Sequence, residues 1–224
     1  MPRKPTASTS RLANDAKQNE PNAAGFTLIE MTVVLSVIAT LALSLTPSMT
    51  SFINDARVTR ARNDTQTLAT EIVQFEHTTG FFPQWSKALN GGPGTPANKI
   101  DLLVSSGNVP AVAQANTWTT GTTDTVAHQL LNNTPAYTLK SATSPFGWNG
   151  PYLTSEIGAD AWNNRYMVNV GLIDNTQGVQ GVGGATKSAV WVISAGPNGA
   201  IETNYSQSVT AAVLGGDDLG VRIQ

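Results

Sequence analysis

The sequence predicts an α+β chain in which one long amino-terminal helix, half membrane-like and half amphipathic, packs on a small antiparallel sheet. Three observations predict it. A polar leader gives way to an apolar run, a helical period of apolar residues follows, and the remainder breaks into short apolar runs among Gly, Pro, Asn and Thr. Composition then removes several classes of function. Charged residues make up 12% of the chain, about half the usual share. Thirteen Lys+Arg against fifteen Asp+Glu leave a net charge of −2. No global field gathers a polyanion, so no nucleic-acid partner is expected. The chain has no cysteine, which excludes disulfides, thiolate metal sites, a cysteine nucleophile and a lipidated cysteine.

Residues 1–25 (MPRKPTASTSRLANDAKQNEPNAAG) contain no Phe, Ile or Val, and set Arg3, Lys4, Arg11 and Lys17 against Asp15 and Glu20. Such a stretch buries too little to fold alone and is expected to be a leader, disordered or removed. From 26 to 46 the sequence is FTLIEMTVVLSVIATLALSLT, with one charge, Glu30. About twenty apolar residues cross a hydrocarbon core as a helix, which makes 26–46 a transmembrane candidate. A buried core helix is the weaker alternative, because soluble helices seldom stay apolar on every face. An ordinary signal peptide puts its small-residue cleavage site after the apolar core, whereas Ala23-Ala24-Gly25 precedes it. Cleavage there discards the basic leader and keeps the helix. Arg57, Arg60 and Arg62 beyond the run blur the charge asymmetry, so charge leaves the orientation open.

After Pro47, residues Ile53, Ala61, Leu68, Ile72 and Phe75 fall at helical spacings, with Arg57, Arg60, Arg62, Asp64, Glu71 and Glu76 on other faces. One helix over 26–79 is predicted. Pro47 is a candidate kink, since it removes a backbone hydrogen bond. Gly80 ends the helix and Pro83 prevents its resumption. Residues 80–224 form the head. YMVNVGLI (166–173) and SAVWVISA (188–195) are predicted strands, GGPGTPANK (91–99) a loop, and IDLLVSSGNVP (100–110) a short helix. Residues 174–187 connect the two strands.

The string GFTLIEM (25–31), after a short basic leader and before an apolar helix, resembles the cleavage region of type IV pilins and type II secretion pseudopilins. The resemblance implies that a prepilin peptidase cuts after Gly25 on the cytoplasmic face and methylates the new amino terminus, Phe26. The family's glutamate at the fifth mature position matches Glu30, and its mid-helix proline matches Pro47. Electrostatics supports the same use of these residues. A carboxylate in an apolar helix costs several kcal/mol unless it is paired. Cleavage after Gly25 creates an α-amino group, cationic at neutral pH, four residues from Glu30. In a bundle of such helices, Glu30 of one subunit can neutralise the Phe26 amine of its neighbour and favour axial register. A protonated or snorkelling Glu30 is the alternative.

The head resembles one branch of that family, the major pseudopilin of type II secretion. FFP (81–83) lies at the helix exit, where an aromatic-proline pair is common. WNGPYL (148–153) resembles W-x-G-P-Y-L, and DAWNNRY (160–166) resembles D-P-W-G-x-P-Y with Ala161, Asn163 and Arg165 as departures. SAGPNG (194–199) and GGDDLGVRI (215–223) resemble its carboxy-terminal loop. Residues 84–147 match nothing in the family.

The resemblance implies a structural subunit, not an enzyme. It implies a single-pass inner-membrane protein with a periplasmic head that joins a homo-oligomeric periplasmic pseudopilus. The implied partners are the prepilin peptidase, an inner-membrane assembly platform and minor pseudopilins. A type IV pilin or minor pilin for adhesion, motility or DNA uptake is the alternative, and a signal-anchored periplasmic ligand-binding domain is a third. It also implies calcium in the carboxy-terminal loop, held by Asp217 and Asp218 with main-chain carbonyls. Asn198 stands where an aspartate is usual, and Glu202 is the candidate replacement for its charge. Against this stands a metal-free reading, with a turn at Asn198-Gly199 and a solvated acidic turn at Asp217-Asp218.

Signals of catalysis are weak. His77 and His128 are the two histidines, and a triad would need Asp124 or Asp101 with an unmarked serine, without G-x-S-x-G. H-E-x-x-H is absent, and GVGGA (181–185) lacks the lysine of a phosphate loop. The tryptophans at 85, 118, 148, 162 and 191 are expected to be packing residues rather than a sugar platform.

Overall fold

The computed structural model describes residues 25–86, 99–113, 117–173 and 188–224, with 46–48 described as backbone only. Residues 1–24 of the predicted leader 1–25, most of the loop 91–99 and the connection 174–187 lie outside the described residues. Packing divides the chain into two compact units, Met1–Met49 and Thr50–Gln224.

Helix α1 spans Leu28–Thr79 and its backbone stays helical through position 47. In the first unit every described side chain from 26 to 45 is exposed, including Leu28 at 83% and Leu43 at 75%. Serine and threonine in this stretch return their hydroxyls to the helix backbone: Thr32 to Ile29 O at 2.8 Å, Ser36 to Val33 O at 2.7 Å, and Ser44 to Leu41 O at 2.9 Å. An apolar helix can carry hydroxyls without water when they bond in this way.

In the second unit the helical period does what it predicts. Ala61, Leu68, Ile72 and Phe75 are fully buried, joined by Thr65. Ile53 differs. It keeps the spacing but is 52% exposed. Gly80, at φ +80°, closes the helix, and its N–H donates to Glu76 O at 2.8 Å. That left-handed turn suits glycine, which has no Cβ to clash.

The head is built around a five-stranded sheet in the order β3-β1-β4-β5-β7. Its strands are β1 (Leu102–Val104), β3 (Thr123–Thr125), β4 (Met167–Val168), β5 (Trp191–Ser194) and β7 (Leu219–Arg222). A pair of short strands, β2 (Ala111–Val112) and β6 (Ala200–Ile201), forms a separate ribbon. The α+β class stands, but the sheet is mixed rather than antiparallel. β1 and β3 run parallel with Leu103 opposite Asp124, and so do β2 and β6. The other pairs are antiparallel, with Val168 opposite Val192 and Val192 opposite Val221. The departure starts at 100–110, which contains β1 instead of the predicted helix. The apolar triplet Leu102-Leu103-Val104 is buried on both faces, and such a run is ambiguous between strand and helix by periodicity.

Alternate residues of the central strands feed two cores. Leu103, Val168, Val190 and Val192 join Leu68, Ile72 and Phe75 of α1 with Tyr137 and Tyr166. Leu102, Val104, Met167, Trp191 and Ile193 face the other way, onto Trp118, Ile201 and Tyr205. The 166–173 segment has strand geometry only at Met167–Val168 and then turns into a short 3-10 helix, Val170–Leu172. Asn169 stabilises that change. Its amide donates to Ala189 O at 3.1 Å and Tyr205 O at 2.8 Å, and its Oδ1 accepts from Trp191 N at 2.7 Å.

Because helix and sheet share one core, Leu68→Ala should lower unfolding free energy by about 2–5 kcal/mol, the cost of a buried cavity. Val73→Ala, at a 44% exposed position, should change it by less than about 0.5 kcal/mol. Urea unfolding of the detergent-solubilised chain, followed by tryptophan fluorescence, measures both.

Candidate functional site

The amino-terminal site begins before the helix. Gly25 and Phe26 are non-helical and exposed, and a Cβ at Gly25 would meet nothing within 4 Å. The fold itself gives no reason for glycine there. The Gly25–Phe26 bond precedes the first helical hydrogen bond, Met31 N to Thr27 O at 3.2 Å.

Thr27 and Glu30 then cap the helix reciprocally. Thr27 Oγ1 accepts from Glu30 N at 3.2 Å, and Glu30 Oε2 accepts from both Thr27 N and Thr27 Oγ1 at 3.2 Å. This is a capping box, which satisfies orphan donors of the first turn and puts a negative charge at the positive end of the helix dipole. The acid expected to await a neighbour's amine thus has an intramolecular use as well. The signal was present as T-x-x-E at 27–30 and was not read as a cap. Pro47 lies on the helix backbone, and its side chain is outside the described residues.

Residues 21–46 carry the prokaryotic N-terminal methylation motif. The motif marks a type IV pilin-like, prepilin-processed amino terminus. It belongs to structural rather than catalytic proteins, and implies processing by a prepilin peptidase, anchoring by the apolar helix in the inner membrane with a periplasmic head, and assembly into filaments. No curated protein and no solved structure matched the chain in comparison.

A second site is the carboxy-terminal loop, where the fold collects the residues tied by resemblance to calcium. Asn198 Nδ2 donates to Glu202 Oε1 at 2.6 Å, and Asn198 N donates to Asp217 Oδ2 at 3.1 Å. Asn198 Oδ1 is taken by Ala200 N at 2.6 Å. Asp218, 6% exposed, accepts at Oδ2 from Glu202 N at 3.0 Å, Thr203 N at 2.7 Å and Thr203 Oγ1 at 2.6 Å. It is no solvated turn. The opposite oxygen, Asp218 Oδ1, is buried without a partner, as are Asp217 Oδ1 and Glu202 Oε2. Two glycines make room for these groups. A Cβ at Gly196 (φ +64°) would strike the Asp217 carbonyl, and one at Gly216 (φ +48°) would strike the Glu202 carboxylate.

Buried, unpartnered carboxylate oxygens are unusual and costly. Hard oxygen donors with negative charge are what calcium takes, so the donor chemistry fits that ion. Among the described residues, however, no three acidic or histidine side chains already form a metal cage. Glu202, more than Asn198, carries the charge of the loop.

The remaining motifs hold the head together. Asp160 Oδ1 accepts from Trp162 N at 2.9 Å and Asn164 N at 2.8 Å, and its Oδ2 accepts from Ser194 Oγ at 2.6 Å. Asn163, in place of the family's glycine, adopts φ +69°, a conformation asparagine tolerates better than most residues. Tyr166 Oη donates to Asp64 Oδ2 at 2.7 Å, and Arg60 bridges from Asp64 at 3.5 Å to Ala159 O at 3.0 Å. Burial first, then the Asp64 bond, pushes the Tyr166 phenol far above its ordinary range, so it stays a donor. In WNGPYL, Tyr152 shares a 2.5 Å hydrogen bond with Thr78 and stacks edge-on against Trp148.

His128 Nδ1 does lie 2.6 Å from Asp124 Oδ1, the pairing named above as a catalytic possibility. Asp124 Oδ2 is taken by Gln129 Nε2 at 2.6 Å, and Gln129 Oε1 accepts from Tyr137 Oη at 2.5 Å. These contacts join Asp124, His128, Gln129 and Tyr137 in one network. His77 is exposed at the end of α1. Trp118 and Trp191 are core residues, while Trp85, Trp148 and Trp162 are partly buried beside the helix-side core. GVGGA lies outside the described residues.

Burial raises the Asp218 carboxyl above its ordinary range, against the bonds from Thr203 and Glu202 N, with the Glu202 charge adding to the rise. The native state therefore holds that proton more tightly than the unfolded chain. Stability should fall as pH rises out of the ordinary carboxylate range through the raised one. In chelator-treated protein, Tm should decline over that window, and Asp218→Asn should flatten the decline. A pH series of thermal melts checks this.

Proposed function

We propose that the chain is a structural subunit of a periplasmic type II secretion pseudopilus. It is cut after Gly25 and methylated at Phe26, and it assembles through α1 with copies of itself. One observation carries the proposal. The Gly25–Phe26 bond lies in non-helical chain directly before a capped helix whose apolar surface no described residue of its own unit covers. Such a helix suits a bilayer before assembly and a bundle of like helices after it. The subunit does no chemistry; its amino terminus is a substrate. In the filament, Glu30 exchanges its bond to Thr27 for the Phe26 amine of a neighbour, which sets axial register. Partners are the prepilin peptidase, the inner-membrane assembly platform and minor pseudopilins.

The preference for a secretion pseudopilus over a surface pilus rests on WNGPYL, DAWNNRY and the carboxy-terminal loop. In that loop calcium would be held by Asp217, Asp218 and Glu202 with main-chain carbonyls, with Asn198 bracing the set. The ion would offset the charge of oxygens that have no donor among the described residues. A type IV pilin is the alternative, and its head would serve equally well.

Gly25→Ala should leave the precursor uncut, seen as retention of the leader by amino-terminal mass spectrometry. Trimming of that variant to Phe26 would refute the processing step. Deletion of the gene should abolish export of secreted proteins; loss of surface fibres with export intact would favour the pilin alternative. Calcium should raise the Tm of the chelated protein at neutral pH and progressively less in acid, where the carboxylates protonate. An unchanged melt on chelation would remove calcium from the account.

A further inference from the structure

The base of the second unit carries a notch that the assembly reading leaves unused. Ile53, Ala56, Arg57 and Arg60 share one helical face at i, i+3, i+4 and i+7, and with Ala161 they line an open cavity of about 320 Å³. The floor is apolar and the rim is cationic. Arg57 is exposed and makes no ion pair or hydrogen bond among the described residues. Arg60 is anchored by Asp64 and Ala159 O, yet its side chain remains 57% exposed. That anchoring orients its guanidinium without consuming its whole donor fork.

Among the described residues Asp64 is the one acid paired with either cation, and it answers Arg60 alone. Asp64 is engaged by Arg60 and Tyr166. Asp160, next to Ala161 in sequence, is buried and saturated by Trp162 N, Asn164 N and Ser194 Oγ. Asp55 lies on the same helix two residues before Arg57 and makes no ion pair among the described residues. The sequence position is as telling as the charge. The helix is uncharged from Met31 to Asn54, and Phe52 and Ile53 expose 72% and 52% of their surface. Arg57 is the first cation after that run.

We propose that this notch binds the phosphate of an anionic phospholipid, with Arg57 and Arg60 on the phosphate oxygens and Ile53, Ala56 and Ala161 against the glycerol and upper acyl carbons. The proposal rests on the membrane-anchor reading of α1. Guanidinium forks match phosphate geometry, and an apolar patch directly beside them matches the polar–apolar boundary of a lipid. A soluble anion would use the arginines and leave the apolar floor exposed. An acidic peptide would need more than one apolar shelf and two cations. Continuity with the uncharged stretch from Met31 to Asn54 selects lipid. The consequence is a subunit held at a fixed depth and rotation in the bilayer while it waits to be assembled, and released when a neighbouring helix replaces the lipid.

The test uses the mature full-length chain labelled with ¹³C-arginine and reconstituted into vesicles of phosphatidylcholine alone or mixed with phosphatidylglycerol. Flotation reports anchoring, and ¹³C–³¹P dipolar dephasing reports guanidinium–phosphate contact. The expected result is flotation in both vesicles, with dephasing in the mixed vesicles that is at least halved in phosphatidylcholine and lost in the Arg57→Gln/Arg60→Gln double variant. Flotation without dephasing overturns the lipid site and leaves the anchor intact. Equal dephasing in both vesicles, or in detergent with inorganic phosphate alone, overturns lipid selectivity. Failure to float overturns the anchor and the site together. Because Arg57 is exposed, the single variant Arg57→Gln controls for folding, and it should weaken dephasing without moving the thermal melt.

Discussion

An apolar helical surface that no described residue of its own unit covers dominates this protein. Residues 26–45 present Leu, Ile, Val and Met to their surroundings on every side. At roughly 25 cal/mol per Å² of apolar area, water is a poor solvent for such a surface. The hydroxyls of Thr32, Ser36, Thr40 and Ser44 are turned back onto the helix, so they make no demand for water either. Whatever surrounds this stretch must be apolar: lipid, or copies of the same helix. Processing, anchoring and assembly are consequences of that one requirement.

The same helix is a core element in the head. Leu68, Ile72 and Phe75 pack against Leu103, Val168 and Val192, while the outer face of the sheet closes over Trp118 and Tyr205. Both faces of the central strands are thereby occupied, which explains why β1 and β5 are buried at every position. Polar bonds then fix the helix against the loops. Tyr166, Asp64, Arg60 and Ala159 O form one chain of contacts, and Tyr152 and Thr78 form another. A head locked to its helix in this way can transmit the position of one to the other.

The carboxy-terminal loop shows what folding adds to a likeness in sequence. Asn198, Asp217 and Asp218 do come together, but Asn198 spends its oxygen on Ala200 N and its amide on Glu202. The unsatisfied oxygens belong to Glu202, Asp217 and Asp218. Sixteen residues separate Glu202 from Asp218 in the hydrogen-bond register, and only the folded loop reveals that they share a site. The capping box is the opposite case: Thr27 and Glu30 are one turn apart, and their pairing follows from local geometry.

Local sequence by itself determined the long helix, its change from wholly apolar to periodic, its stop at Gly80 and the T-x-x-E cap at 27–30. Each depends on residues within a turn or two of one another, or on composition averaged over a window. Tertiary structure alone decided that 102–104 is a strand, that β1 and β3 run parallel, that Ile53 lies outside the core and that Asp218 is buried. Those outcomes turn on which distant segment arrives to cover a given face, and a short apolar run such as Leu102-Leu103-Val104 suits a helix or a strand until that neighbour is in place.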